Sequence, residues 1–304
     1  MASLLECVPN FSEGRRTEVI DALAEAVQGV EGAMLLDRTS DPTHNRSVLT
    51  FAGPADAVLR AAEAAVAAAV DLIDMDRQTG AHPRIGAVDV IPFVPLSDTP
   101  MSEAVELARA FGRGIAERHG LPVYLYAEAA LRPDRRLLSD VRRGQYEGLK
   151  AELGTNPDRD PDYGPRRMHP SAGAVAVGAR QPLIAFNVNL AGEDVELARR
   201  IATAIRESSG GLPGVQAMGV LLENPGDPHY AQVSMNLLDW QTTGIVAVVG
   251  EIRRLAREGG TDIDHCELIG LAPTGALLEV AADALALRGF SADQALELRL
   301  ARGR

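Results

Sequence analysis

Apolar residues recur along this chain with two periods, one suited to strands and one to helices. Leu4-Leu5-Glu6-Cys7-Val8 reads as a short strand ended by Pro9-Asn10. Ile20, Leu23, Ala24 and Val27 then fall on one helical face. Residues 33–37 and 47–51 are strands, and Gly53-Pro54 opens a long Ala-rich helix, with proline suited to its first turn. Its buried stripe runs through Leu59, Ala62, Val66, Val70 and Ile73, and residues 87–94 form the next strand. The order to this point is β-α-β-β-α-β.

Thr99-Pro100 caps a further helix to about His119, residues 123–126 are a strand, and a polar helix covers residues 137–149. Residues 154–173 show no period and are rich in Pro, Gly, Asp and Arg. A loop of that length in a compact protein is either functional or a linker, and its Arg and His content favours function. Strands follow at residues 182–190, 215–222, 230–237 and 265–271, with helices at residues 193–207 and 241–258. Two helices close the chain, the last opened by a capping box at Ser291 and Gln294. This second β-α-β-β-α-β series predicts an α/β (α+β) protein of two ferredoxin-like subdomains facing each other across a ligand cleft. The join falls near residues 177–181, giving an N-terminal subdomain of residues 1–179 and a C-terminal one of residues 180–304.

Composition narrows the class. At 46% hydrophobic and 24% charged residues the chain can bury a core and stay in solution, and with aromatics at 4% it must fill that core with Ala, Leu and Val. A net charge of −12 argues against nucleic acid or an acidic membrane surface as partner. Lys150 is the only lysine, which leaves Schiff-base chemistry little to work with. Cys7 and Cys266 sit in apolar runs and are expected to be buried, reduced thiols. The N-terminus lacks a basic region ahead of an apolar stretch, and the helix at residues 54–74 carries Asp56, Arg60, Glu63 and Asp71. The expectation is a cytoplasmic protein.

Four loops could carry chemistry. In Gly80-Ala81-His82-Pro83-Arg84-Ile85-Gly86, the proline holds His82 extended and the following apolar strand anchors it to the core. Pro9-Asn10-Phe11-Ser12-Glu13-Gly14-Arg15 leads into a helix and reads either as a cap or as an anion site at the helix start. In Asp41-Pro42-Thr43-His44-Asn45-Arg46, Asn45 and Arg46 adjoin a strand end and suit a carboxylate, while His44 reads as a solvated turn residue. Gly164-Pro165-Arg166-Arg167-Met168-His169-Pro170 is the most electropositive part of the long loop, either solvated charge or an anion ligand. No HxH or HExxH spacing joins His44, His82 and His169, so no metal is expected.

Several ordered stretches resemble the glutamate formiminotransferase (glutamate formimidoyltransferase) family, in the stand-alone form without a cyclodeaminase domain. They include Glu6-Cys7-Val8-Pro9-Asn10-Phe11-Ser12-Glu13-Gly14, His82-Pro83-Arg84-Ile85-Gly86-Ala87-Val88-Asp89-Val90, Ile184-Ala185-Phe186-Asn187-Val188-Asn189-Leu190 and Ala231-Gln232-Val233-Ser234-Met235-Asn236-Leu237. The resemblance implies transfer of the formimino group of N-formimino-L-glutamate to N5 of tetrahydrofolate, a step of histidine degradation and one-carbon metabolism. It implies a folate lying between two subdomains as co-substrate, with His82 handling protons. Asn10, Asn45, Arg46, Arg84, Asn187 and Asn189 are then the candidate substrate ligands. The family's folate loop aligns onto Gly164-Pro165-Arg166-Arg167-Met168-His169-Pro170-Ser171-Ala172-Gly173, which lacks the tryptophan of the mammalian form. Position 39 is Thr where that form has an aspartate, and Asp41 is the candidate substitute. An imidazole with the ordinary pKa of ~6.5 would both take the proton from N5 and return one to the departing glutamate nitrogen. A related enzyme acting on formyl groups and a non-catalytic small-molecule sensor are the alternatives. A homodimer and a separate cyclodeaminase are the macromolecular partners left open.

Overall fold

The computed structural model describes residues 3–80, 82–222 and 229–302. Ala81, together with Met1 and Ala2 of the N-terminal reading, lies outside them. The chain divides into two α/β units, Met1–Gln181 and Pro182–Arg304.

The first unit runs β1 (Leu4–Cys7), β2 (Asn10–Phe11), α1 (Thr17–Gln28), β3 (Met34–Asp41), β4 (Arg46–Pro54), α2 (Ala55–Leu72) and β5 (Val88–Leu96). It continues with α3 (Met101–His119), β6 (Val123–Ala127), α4 (Leu138–Val141), α5 (Gln145–Glu152) and β7 (Val175–Ala179). β1 and β2 lie between β4 and β5, antiparallel to both, and β3 flanks β4. That is the ferredoxin-like order, and it is widened by β7 and β6 through parallel pairing.

The expected join overlaps a strand the sequence reading missed. Residues 175–179 are wholly buried, between β5 and β6. Helices α1, α2 and α3 cover one face of the sheet, with Leu5, Cys7, Phe11, Leu49, Phe51, Ile91, Phe93 and Val177 beneath them. On the other face Ile85, Val90, Tyr124, Tyr126 and Ala176 pack with Val141 and Leu149 of α4 and α5. A parallel strand covered on both faces shows no alternation, so its apolar run gave no period to read. The expected helix over residues 137–149 is two helices, broken where Gly144 takes φ 79°.

The second unit runs β8 (Ile184–Leu190), α6 (Val195–Ile205), β9 (Val215–Leu222), β10 (Tyr230–Leu237), α7 (Ile245–Glu258), β11 (Ile263–Ile269), α8 (Thr274–Ala284) and α9 (Leu296–Arg302). Its sheet, in the order β11-β8-β10-β9, is antiparallel throughout and again ferredoxin-like. Asp239 holds residues 241–242 in a turn by accepting their backbone N–H groups at 3.2 Å, so α7 begins later than the pattern predicts. Cys7 is buried, but Cys266 is exposed. It stands on the edge strand β11, where only β8 flanks it, and an apolar run there does not guarantee cover.

Candidate active site

Three loops of the first unit meet beyond the β2 end of the sheet. Two glycines permit it. A Cβ at Gly14 would stand 2.3 Å from the Asp41 carbonyl oxygen, and one at Gly80 would stand 2.4 Å from that of His44. The turn at residues 41–46 is therefore gripped from both sides by backbone.

Asn45 ties the three together. It takes φ 49°, a left-handed conformation that asparagine tolerates. Its Oδ1 accepts the Gly14 N–H at 2.9 Å, and its Nδ2 donates to Gln78 Oε1 at 2.5 Å and to the Thr79 carbonyl at 3.0 Å. Gln78 in turn donates to Glu13 Oε2 at 3.0 Å. Burial alone would raise the Glu13 pKa, but bonds from the Arg15 and Arg16 backbone, the Arg16 side chain and Gln78 outweigh it and keep the carboxylate ionised. Ser12 Oγ closes the ring by donating to the Gly86 carbonyl at 2.7 Å. Both ends of the Asn45 amide are thus committed to the protein, which makes it a brace for the loops.

His82 stands in this frame with a pKa lowered to about 3. Burial is the main cause, followed by the positive charges of Arg46 and Arg142. A bond to the Pro83 backbone opposes them without compensating. This corrects the expectation of an ordinary imidazole: at neutral pH the ring is uncharged and can accept a proton but has none to spare. Arg46 is itself lowered to about 10 by burial and by Arg142, and stays charged at neutral pH.

The surrounding polar groups are only partly paired. Arg46 donates to Asn10 Oδ1, while Asn10 Nδ2 reaches the Val8 carbonyl at 2.9 Å. Arg84 donates to the Gln78 carbonyl at 2.8 Å and to Glu147 at 3.0 Å. Arg142 pairs with Asp89, whose other oxygen accepts the Ile85 N–H at 2.9 Å. Asp89 is the extra residue of a β-bulge, because Asn10 and Phe11 pair with Val90 and Val88. The Nε atoms of Arg46, Arg84 and Arg142 and the Ser47 hydroxyl are buried with no hydrogen-bond partner among the described residues. Such donors are costly to strand, and a cluster of them beside one imidazole fits an anionic ligand.

Of the sequence candidates, Asn10, Asn45, Arg46, His82 and Arg84 line one small pocket together with Phe11, Ser12, His44 and Asp89. The long loop bonds to the segment that follows the His82 loop and to Met75. Ala87 N–H donates to the Ala172 carbonyl at 2.8 Å, Ala174 N–H to Ile85 at 3.0 Å, and Met75 N–H to Ser171 at 2.8 Å. His169 Nδ1 accepts the Ala172 N–H at 3.0 Å, so that ring braces its own turn. Met168 packs on the core, whereas Arg166 and Arg167 are exposed, Arg166 beside Asp160 at 3.2 Å.

Asn187 and Asn189 stand on β8 of the second unit. Asn189 Nδ2 meets His265 Nε2 at 2.9 Å, and Gln232 Nε2 donates to Asn189 Oδ1 at 3.0 Å. Gln232 and Asn187 each donate to Glu267 Oε2 at 3.3 Å. The result is a polar row across three strands. Sequence reasoning did not single out Asp89, Arg142, Gln232 or Glu267, and its solvated turn residue His44 is half-exposed on the turn before β4. Asp89 did carry a signal, a carboxylate inside an apolar strand; Arg142 carried none.

Among the described residues there is no cluster of three His, Cys, Asp or Glu side chains that could hold a metal ion. No helix among them is long and apolar enough to cross a membrane.

A family model described as the formiminotransferase domain, N-terminal subdomain, matches residues 4–180, and the formiminotransferase domain model matches residues 185–289. The chain is similar to glutamate formimidoyltransferase of Streptococcus pyogenes serotype M1, at 44% identity over 95% of this chain and 96% of that one. The Thermoplasma acidophilum enzyme of the same name is also 44% identical, over 98% and 97%. The rat formimidoyltransferase-cyclodeaminase is 45% identical over 93% of this chain but only 52% of its own greater length.

Proposed function

This chain belongs to the formiminotransferase family, and on that premise we propose that it moves the formimino group of N-formimino-L-glutamate to N5 of tetrahydrofolate, releasing glutamate. The observation that carries the reading is a neutral imidazole, His82, set among arginines whose buried donors lack partners.

The chemistry follows from charge. The donor carries two carboxylates and the protein a net −12, so capture requires a local excess of positive groups. Arg46 and Arg84 line the His82 pocket, and Arg142 acts on His82 through its charge. Burial is the larger cause of the low His82 pKa, and a substrate carboxylate paired with these arginines offsets the part that their charges add. Binding thereby raises the basicity of the ring at the moment N5 must lose a proton. General-base assistance of this kind contributes roughly 10²–10⁴-fold. Holding both substrates in attack geometry contributes further. The loop at residues 164–173 is the folate contact of this reading, since its bonds to residues 85–87 join it to the His82 loop.

Incubating the protein with formiminoglutamate and tetrahydrofolate and measuring released glutamate tests the reading directly. Glutamate release that requires both reactants supports it, and none from properly folded protein refutes it.

A further inference from the structure

The proposed transfer has two proton tasks. The new N5–carbon bond forms as N5 gives up a proton, and the carbon–glutamate nitrogen bond breaks as that nitrogen takes one up. His82 suits the first task and not the second, for burial, aided by the charges of Arg46 and Arg142, holds it uncharged.

We propose that His44, held by Asp41, is the second proton-handling residue of this pocket and donates to the departing glutamate nitrogen while His82 accepts the proton from N5. The inference rests on the formiminotransferase reading. Atoms balance: one proton leaves N5, one arrives on glutamate, and the two imidazoles exchange the difference through water before the next turnover.

Geometry supports the assignment. His44 and His82 line the same pocket. His44 Nδ1 stands 2.7 Å from Asp41 Oδ2, so the ring is fixed with its Nδ1–H toward the carboxylate and Nε2 free to carry the mobile proton. Asp41 is itself fixed, since Oδ1 accepts the backbone N–H of Thr43 at 2.7 Å and of His44 at 2.8 Å. Burial would raise its pKa, but those bonds and the His44 ring keep it ionised. The turn cannot drift, because Gly80 abuts the His44 carbonyl and Asn45 anchors the next residue. A carboxylate that orients an imidazole and stabilises its charged form is the arrangement a general acid needs. About half of each side chain is exposed, 51% and 50%, so water can recharge the pair after each turnover.

The charged and titratable groups around His44 are Asp41 on its own turn and Arg15, which donates from Nε to the Pro42 carbonyl at 2.8 Å. The rest are Arg46, His82, Arg84 and Asp89 around the pocket, and Arg142, which pairs with Asp89. A general acid acts only while it holds its proton, so a rate that falls as pH rises in the wild type but not in His44→Asn would identify the ring as the donor.

The test compares glutamate release by the wild type, His44→Asn and Asp41→Asn between pH 6 and 9, with thermal melting to confirm folding. The wild-type kcat should fall as pH rises. His44→Asn should lower kcat by about 10²-fold near neutrality, flatten the profile and leave KM within about three-fold. Asp41→Asn should lower kcat as well, by less than His44→Asn, because the ring loses the carboxylate that orients it. If the wild type is active and folded His44→Asn keeps its kcat or its falling limb, the inference is overturned and the family reaction stands. A wild type with no transfer overturns both.

Discussion

Asn45 Oδ1 accepts the backbone N–H of Gly14 at 2.9 Å, joining the turn before β4 to the loop that leads into α1. The same amide holds Thr79, close before His82 in the chain. Asn45→Ala strands the Gly14 N–H and the Thr79 carbonyl and leaves a Cβ residue at φ 49° without its side-chain bonds. The expected loss of stability is about 2–4 kcal/mol, readable in urea unfolding. Asn45→Gly, which relaxes the backbone, should lose less than Asn45→Ala. Equal stability for all three proteins would show that the brace contributes nothing.

His82→Ala should reduce kcat by about 10²-fold or more while folate affinity stays within a few-fold, because the ring acts mainly in the transition state. Steady-state kinetics alongside equilibrium folate titration separate the two. Near-normal turnover in folded protein would remove His82 from the chemistry.

Loss of an arginine should act on capture. Arg46→Ala or Arg84→Ala removes a charge-assisted bond from a partly dry site, at a cost of about 1.5–3 kcal/mol. A rise of roughly ten- to hundred-fold in KM for at least one substrate should result. Added salt should weaken capture in the wild type and much less in the variants. Wild-type KM values for both substrates in both variants would refute the anchoring role.

His82 also links folding to pH. Its pKa is about 3 in the folded protein against an ordinary 6.5, so between those values the unfolded chain binds the additional proton. The sign is therefore fixed. Burying the neutral ring is least costly above pH 6.5, and stability falls as pH drops from there through about 3. His82→Asn should flatten that part of the stability–pH curve, measured by denaturant unfolding at pH 7 and pH 4.5. An unchanged slope would show that His82 is not depressed in the folded protein.

Much of the fold was legible because its signals are local. A strand with one covered face must alternate, a helix on a sheet must show a 3.6-residue stripe, and glycine or proline must mark the turns. Strands at residues 215–222 and 230–237 were placed by that logic and match the observed elements. The loop with His82 was legible too, since Pro83 and the apolar strand after it announce a rigid presentation.

The sequence by itself determined two β-α-β-β-α-β series, the family and the loop that presents His82. Tertiary structure alone decided the partners of each side chain. β7 slots between β5 and β6, the bulge at Asp89 receives Arg142, and Asp41 meets His44, through pairings that no local period encodes. The same holds for protonation. His82 is neutral because burial and two arginines from distant segments surround it, and the energy of a charge depends on every charge and dipole within several ångströms, wherever each stands in the chain.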